Sequence, residues 1–194
     1  GLFSRKKETI RAVDGVSFCL HRNETLGLVG ESGCGKTTLG RTLLGLEAAT
    51  DGWVQFRDRP LLSLHRREMD RMRRHLQVIF QDPLSSLNPR MNIMDIVTEG
   101  MMQFGMNKGT RLENARRLLA EVGLDADMSY RFPHEFSGGQ RQRINIARAI
   151  SLRPDLIICD EAVSALDVSI QAQVINLLLN LQEVHGLSYL FISH

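Results

Sequence analysis

Residues 30–37 read Gly-Glu-Ser-Gly-Cys-Gly-Lys-Thr, a complete Gly-x-x-x-x-Gly-Lys-[Ser/Thr] phosphate loop. The loop lies between an apolar run that ends at Val29 and a segment of helical pattern that starts near Lys36. The motif requires this order, because the glycines let backbone N–H groups turn toward phosphates and the helix N-terminus adds partial positive charge. The sequence therefore predicts an α/β fold with a nucleoside triphosphate site, in which Lys36 reaches the β- and γ-phosphates and Thr37 binds Mg²⁺.

Length and composition narrow the possible classes of protein. The 194 residues allow one domain with a sizeable core, and 43% hydrophobic and 24% charged residues are typical of a soluble globular protein. No apolar stretch reaches the roughly 20 residues that a bilayer-spanning helix needs, so we expect no transmembrane segment. Three cysteines without metal-ligand spacing favour a reducing compartment. Because the chain starts at Gly1 and stops at His194 just after an apolar run, we expect it to be truncated at its C-terminus.

The charge distribution argues against direct nucleic-acid binding. The net charge is only +2, whereas dedicated nucleic-acid binders carry a strong basic patch. The basic stretch at 66–74 is interleaved with Glu68 and Asp70. We interpret it as a solvated helical face in preference to a nucleic-acid patch.

Apolar patterns predict alternating strands and helices. The predicted strands are 13–20, 52–56, 76–80, 156–160 and 187–192, of which the first two alternate in polarity and are expected to be antiparallel. Helical patterns occur near 93–104, 111–122 and 168–185. Residues 82–136 have weak strand character and a turn-rich entry, so we expect a helical insertion within the α/β domain there.

An acidic pair ends one predicted strand. Asp160 and Glu161 follow the apolar run 156–159, and ligands collect at the carboxyl ends of strands in open α/β sheets. An acidic pair in this position is also common on solvated surfaces. Its occurrence together with a phosphate loop favours a site in which Asp160 organises Mg²⁺ and Glu161 polarises a water molecule against the γ-phosphate.

A second glycine-containing turn precedes a helical segment. Ser137 is a good helix N-cap, and Gly138 and Gly139 leave backbone N–H groups exposed at the helix start. The pattern is compatible with a second anion site or with an ordinary capped helix. Spacing alone leaves both interpretations open.

These motifs together resemble the ATP-binding cassette family. Residues 136–140 (Phe-Ser-Gly-Gly-Gln) are similar to its signature motif, and the other family motifs follow in order: Walker A at 30–37, the Q-loop at Gln81, Walker B at Asp160, the catalytic glutamate at Glu161, the D-loop at 164–167 and the switch histidine at His194. The resemblance covers nearly the whole chain. It implies one nucleotide-binding domain over 1–194, with 82–136 as a helical subdomain.

The resemblance also implies ATP and Mg²⁺ as ligands and assigns residues to each. Catalysis would use Glu161, with Gln81 contacting Mg²⁺ and the attacking water and His194 on the γ-phosphate. Metal ligands would be Thr37, Gln81 and Asp160. Two such domains pack head to tail in the family, as a homo- or heterodimer, so that Ser137 and Gly139 would cap the γ-phosphate held by the partner. The implied nucleotide-binding residues are Arg11, Gly30, Ser32, Gly33, Cys34, Gly35, Lys36, Thr37, Thr38, Ser137, Gly138, Gly139, Gln140 and Asp167.

A narrower resemblance points to an importer. Residues 81–90 and 160–167 are similar to the ATPase subunits of bacterial dipeptide, oligopeptide, glutathione and nickel importers. This implies transmembrane permease subunits docked near 82–110, and a peripheral position on the cytoplasmic face of the bacterial inner membrane. The alternative is a soluble cassette ATPase that acts on nucleic acid or ribosomes. It is disfavoured by the near-neutral charge and the importer-like segment.

Two positions depart from the family pattern. Many members place an aromatic ring beneath adenine where this chain has Arg11, whose guanidinium could stack on the base. Residues 160–163 read Asp-Glu-Ala-Val in place of the commoner Asp-Glu-Pro-Thr. Both carboxylates are kept, so we expect little catalytic consequence.

Overall fold

A computed structural model of the chain describes residues 11–105 and 108–193. Its strands are β1 (Thr25–Val29), β2 (Gln55–Phe56), β3 (Arg59–Pro60), β4 (Leu76–Ile79), β5 (Leu156–Asp160) and β6 (Ser188–Ser193). Its helices are α1 (Lys36–Leu43), α2 (Arg66–Met72), α3 (Ile93–Gln103), α4 (Lys108–Glu121), α5 (Gly138–Ile150) and α6 (Val168–His185), and short 3₁₀ turns occur at 61–63, 126–130 and 133–135.

Four parallel strands form the central sheet, in the order β1-β6-β5-β4. In the register, Val29 is opposite Ser193, Ile192 is opposite Asp160, and Cys159 is opposite Ile79. The carboxyl ends of all four strands therefore meet at one edge. The phosphate loop, the Gln81 loop and the acidic pair leave the sheet at this edge.

Both faces of the sheet are covered. On β5, Ile157 and Cys159 belong to a core shared with α3 to α6, whereas Ile158 belongs to a core shared with α1 and α2. Burial of successive side chains on opposite faces requires a strand that is apolar throughout. The prediction of a doubly covered strand at 156–160 is confirmed, as are the predicted strands at 76–80 and 187–192 with their ends shifted by one residue.

The predicted strand at 13–20 is wrong. Residues 13–20 form neither a strand nor a bridge, and the alternating side chains of Val13, Val16 and Phe18 are 37%, 52% and 40% exposed. Alternation predicts a strand only where one face is buried against another layer, and within the described residues no layer covers these side chains. Among the residues that the structure describes, antiparallel pairing is confined to β2 and β3, where Arg57 and Asp58 both adopt positive φ in a two-residue hairpin turn.

Between β4 and β5 the described residues contain the helices α3, α4 and α5 and two 3₁₀ turns, joined by loops, and no strand. Helices α3 and α4 agree with the two predicted helical patterns, and both pack on α5. Asn92 caps α3 by accepting a hydrogen bond from the Asp95 N–H at 2.8 Å. Glu121 at the end of α4 contacts His185 at the end of α6, with 2.9 Å between Oε2 and Nε2. That 82–136 forms a distinct subdomain remains a prediction.

None of the helices in the described ranges combines the length and the apolar character that crossing a bilayer requires.

Candidate nucleotide-binding site

The phosphate loop opens into a cleft of about 380 Å³ at the carboxyl edge of the sheet. The lining residues are Ala12, Ser32, Gly33, Gly35, Lys36, Thr37, Thr38, Gln81 and Glu161. The Lys36 side chain is 7% exposed, and its ammonium donates to the carbonyl oxygens of Gly30 at 2.6 Å and Glu31 at 2.8 Å. These carbonyls hold a buried positive charge beside the loop. The arrangement suits a phosphate ligand, which would offer stronger, charged acceptors.

Gly35 fits the loop tightly against the N-terminal segment. It is the N-cap of α1 with φ +98°, and a Cβ built there overlaps the carbonyl oxygen of Ala12 and lies 2.9 Å from the carbonyl carbon. Ala12 therefore forms a wall of the cleft. The preceding Arg11 does not line it, because its guanidinium pairs with Asp14 at 3.2 Å in a largely exposed position.

The foot of the loop contacts the acidic strand end. Thr37 donates its hydroxyl proton to Asp160 Oδ1 at 3.1 Å. Burial raises the pKa of Asp160, the Thr37 hydrogen bond opposes this rise, and the charge of Glu161 adds to it. A nearby cation would reverse the effect of burial.

The Thr37 and Asp160 oxygens fit Mg²⁺. This ion prefers hard oxygen ligands and takes one or two protein groups together with phosphates and waters. Within 11–105 and 108–193, no three His, Cys, Asp or Glu side chains form a preassembled metal cluster. Thr37 and Asp160 would hold Mg²⁺ together with phosphate oxygens and waters.

Glu161 lies at a strained turn just beyond β5. Its φ is +51°, which costs a residue with a Cβ on the order of 1–2 kcal/mol. Its N–H donates to the Ile192 carbonyl at 3.0 Å, so the bend is fixed against β6. The result is a carboxylate that lines the cleft together with Gln81, which leaves the sheet from β4.

The glycine turn before α5 lies apart from the cleft. Ser137 Oγ accepts from the Gln140 N–H at 3.3 Å, and Gln140 Oε1 accepts from the Ser137 N–H at 3.0 Å, a reciprocal capping box. A Cβ on Gly139 would lie 2.7 Å from Ile170 Cγ2 on α6, so this glycine allows close packing of α5 on α6. The N-cap of α6 is Asp167. These residues form a separate exposed surface.

The predicted site residues thus fall into three groups. Seven of them, together with Glu161, are associated with the cleft: Ser32, Gly33, Gly35, Lys36, Thr37, Thr38 and Gln81. Gly30 and Cys34 belong to the same loop without lining the cleft, and Asp160 reaches it through Thr37. Outside the cleft lie Arg11, Ser137, Gly138, Gly139, Gln140 and Asp167. His194 lies outside the described residues.

Sequence reasoning missed two features of the site. Ala12 is unremarkable in the sequence, and only the close approach to Gly35 reveals it. Three polar residues on the buried side of α5, Gln142, Asn145 and Arg148, bind the loops that follow Gln81 and Glu161. Their regular spacing of three residues along the helix was a signal that could have found them.

Comparison with known proteins shows the family of this chain. The profile of the ABC transporter family matches residues 13–164. The chain belongs to the ABC transporter family. The cassette is 54% identical to the oligopeptide transport ATP-binding protein AppF of Bacillus subtilis over 196 aligned residues, which cover 100% of this chain and 60% of that protein. It is also 54% identical to a putative peptide import ATP-binding protein of Brucella ovis, covering 99% of this chain and 61% of the relative.

The fold is that of solved ABC cassettes. A dimeric structure of the ATP-binding cassette MJ0796, in a post-hydrolysis state bound to ADP and Pi, has a TM-score of 0.86 at 26% identity, covering 99% of this chain and 84% of that one. The fold of cbiO1 from Clostridium perfringens is also similar, with a TM-score of 0.85 at 23% identity over 94% of this chain and 72% of that one. The chain spans about three fifths of the length of the curated relatives named above.

Proposed function

We propose that this cassette binds ATP with Mg²⁺, hydrolyses it to ADP and phosphate, and serves as the ATP-binding subunit of a peptide importer. The observation that carries the proposal is the convergence of Lys36, Thr37, Gln81 and Glu161 on one cleft, with Asp160 bonded to Thr37. Cation, hydroxyl, amide and carboxylates are the groups that phosphoryl transfer to water uses.

The phosphate loop supplies the groups that would bind the nucleotide phosphates. The Lys36 ammonium exchanges the carbonyl oxygens of Gly30 and Glu31 for phosphate oxygens. Backbone N–H groups of the loop and the N-terminus of α1 add donors and partial positive charge. Mg²⁺, when bound beside Thr37 and Asp160, supplies charge neutralisation at the phosphates.

Glu161 is the general base of the proposed reaction. Glu161 lines the cleft, where its carboxylate would orient a water molecule and accept the proton as that water attacks. Gln81 can orient the same water through its amide. The Ile192 hydrogen bond that fixes the Glu161 backbone limits the freedom of this carboxylate.

The exposed surface at Ser137–Gln140 supports a two-chain site. These residues form the N-terminal end of α5, where Gly138 and Gly139 leave backbone N–H groups without a flanking side chain, yet they do not line the cleft of their own chain. A second cassette, packed head to tail, would bring them onto the γ-phosphate, and dimeric arrangements are known for the similar cassette MJ0796. Nucleotide would then favour the closed pair through its higher affinity for it.

Peptide import is favoured by the relatives. The similar proteins of Bacillus subtilis and Brucella ovis are named for oligopeptide transport and peptide import. For this cassette we accordingly propose permease subunits as partners and a peripheral position on the cytoplasmic face of the bacterial inner membrane. We expect no direct binding of nucleic acid.

The test is the Glu161→Gln variant. It keeps the size and the backbone of the residue but removes the base, so phosphate release should fall by roughly 10²- to 10⁴-fold while ATP affinity is unchanged. Glu47→Gln, a surface carboxylate paired with Arg41, is the matched control and should hydrolyse like the wild type. Light scattering with saturating ATP should show a trapped dimer for Glu161→Gln. A variant that hydrolyses ATP normally and stays monomeric would refute the assigned role.

A further inference from the structure

Three polar side chains occupy the buried side of α5 at three-residue steps. Gln142 and Asn145 are 0% and 1% exposed, and Arg148 is partly buried beyond them. Each three-residue step along a helix rotates by about 60° and rises about 4.5 Å, so the three side chains form one oblique row. We call Gln142, Asn145 and Arg148 the α5 row.

Each member of the row donates to a backbone carbonyl in a loop that carries a cleft residue. Gln142 Nε2 donates to the Ala162 oxygen at 2.5 Å, one residue after Glu161. Asn145 Nδ2 donates to the Pro83 oxygen at 3.4 Å. Arg148 Nη1 donates to the Ser86 oxygen at 2.6 Å. One rigid helix thus binds both the loop that follows Glu161 and the loop that follows Gln81.

Packing alone does not account for these residue types. Gln142 Oε1 and Asn145 Oδ1 have no hydrogen-bond partner among the described residues, and a buried polar atom without a partner is costly. Burial lowers the pKa of Arg148, an effect that the charge of Glu99 opposes. Apolar side chains at these three positions would avoid the cost of burying polar groups. Other buried positions of the same helix, such as Ile144 and Ala147, are apolar.

The row begins at Gln142, two residues after the end of the Ser137–Gln140 turn. That turn is the surface proposed to cap the nucleotide of a second cassette. A force on the N-terminus of α5 would therefore reach the loops of Glu161 and Gln81 through three direct hydrogen bonds. No member of the row lines the cleft itself.

We propose that Gln142, Asn145 and Arg148 are positioning residues for hydrolysis, which hold the Glu161 and Gln81 loops in register with the helix that carries the capping turn. The inference rests on the proposed ATPase function. Because the row does not touch the nucleotide cleft, its loss should lower kcat and leave ATP binding nearly unchanged. A role confined to stability would lower the melting temperature without this division between kcat and KM.

The test compares two arginines of the same helix. Arg148→Met removes the donor to Ser86, whereas the control Arg143→Met removes a guanidinium that donates to the Val122 carbonyl at 2.8 Å and to Gln173 at 3.3 Å, away from both catalytic loops. We expect Arg148→Met to lower kcat roughly 10- to 100-fold, the scale of a misplacement of about 1 Å, with KM changed less than about threefold. Arg143→Met should keep kcat within about twofold of the wild type even if both variants melt earlier.

Gln142→Glu and Arg148→Lys complete the design. Gln142→Glu keeps the shape but turns the donor to Ala162 into an acceptor, and it should lower kcat as Arg148→Met does. Arg148→Lys keeps a charged donor and should recover part of the lost rate. If Arg148→Met does not fold, these two variants carry the test. Equal kcat in Arg148→Met, Gln142→Glu and Arg143→Met would overturn the inference. A wild type that releases no phosphate would overturn the proposed function instead.

Discussion

Replacement of Gly35 by alanine tests the contact that builds the wall of the cleft. Gly35 has φ +98°, and an added Cβ would overlap the Ala12 carbonyl oxygen. Gly33 is the matched control, because it has φ +81° in the same loop and nothing within 4 Å of an added Cβ. Both variants introduce the same kind of backbone strain, but only Gly35→Ala displaces Ala12.

The expected losses in the free energy of unfolding follow from the backbone strain and from the steric overlap with Ala12. A left-handed alanine costs about 1–2 kcal/mol, and the stiffer unfolded chain returns about 0.4–1 kcal/mol, so Gly33→Ala should lower the free energy of unfolding by at most about 1.6 kcal/mol. The steric overlap at Gly35 adds about 1–3 kcal/mol. At about 2–4 °C per kcal/mol for a chain of this size, Gly35→Ala should melt roughly 2–12 °C below Gly33→Ala.

The assay is thermal unfolding of the nucleotide-free variants, followed by titration with fluorescent ATP. Because Ala12 lines the cleft, Gly35→Ala should also bind ATP at least about tenfold more weakly than Gly33→Ala, a difference of about 1.4 kcal/mol. Melting temperatures within 1 °C of each other, together with equal ATP affinity, would refute the close contact between Ala12 and the loop.

Three further predictions concern the cleft and its neighbours. Alkylation of the exposed Cys34 thiol should block ATP binding, and bound ATP should prevent the alkylation. Cys159, whose pKa is raised by complete burial, should not react. Mass spectrometry identifies the alkylated cysteine, and ATP-binding assays measure the effect. Burial raises the pKa of Asp160, so the ionised carboxylate destabilises the nucleotide-free fold once the pH exceeds the pKa that Asp160 has in the unfolded chain. Asp160→Asn should therefore raise the melting temperature at pH 7, and this gain should vanish in acid. The same variant should abolish Mg²⁺-dependent hydrolysis. Gly139→Ala should lower the free energy of unfolding by about 1–3 kcal/mol, because its Cβ would lie 2.7 Å from Ile170 Cγ2. In denaturant titrations the loss should be smaller in an Ile170→Ala background, which lacks this Cγ2 atom.

The cleft was predictable where chemistry imposes a fixed spacing. A phosphate loop needs glycines, a lysine and a hydroxyl at set positions between a strand and a helix, and Lys36 and Thr37 lie where this requirement puts them. Asp160 and Glu161 were predictable for a related reason. The carboxyl ends of parallel strands share one edge, so an acidic pair that ends a buried apolar run is brought toward the loop without any long-range information.

The N-terminal segment was not predictable by the same route. Its alternation of apolar residues is a local signal, but a strand also needs a hydrogen-bonding neighbour and a layer that covers one face. In the described residues neither is present for 13–20, and the backbone of the preceding Ala12 lies against Gly35 of the loop. The glycine that makes this approach possible was already required by the phosphate motif, so the sequence contained no separate sign of the contact.

The α5 row shows a different kind of limit. A helix was expected after the Ser137 turn, and Ile146, Ala149 and Ile150, which share one face of it, are buried. Binary patterning treats polar residues as solvent-facing, however, and this assigns Gln142 and Asn145 to the wrong side. Carbonyls in irregular loops need donors from elsewhere in the fold, and the loops beside Glu161 and Gln81 obtain theirs from α5. Buried polar residues in an amphipathic helix are therefore best interpreted as candidates for holding loops, and the geometry of those loops decides whether the role is structural or catalytic.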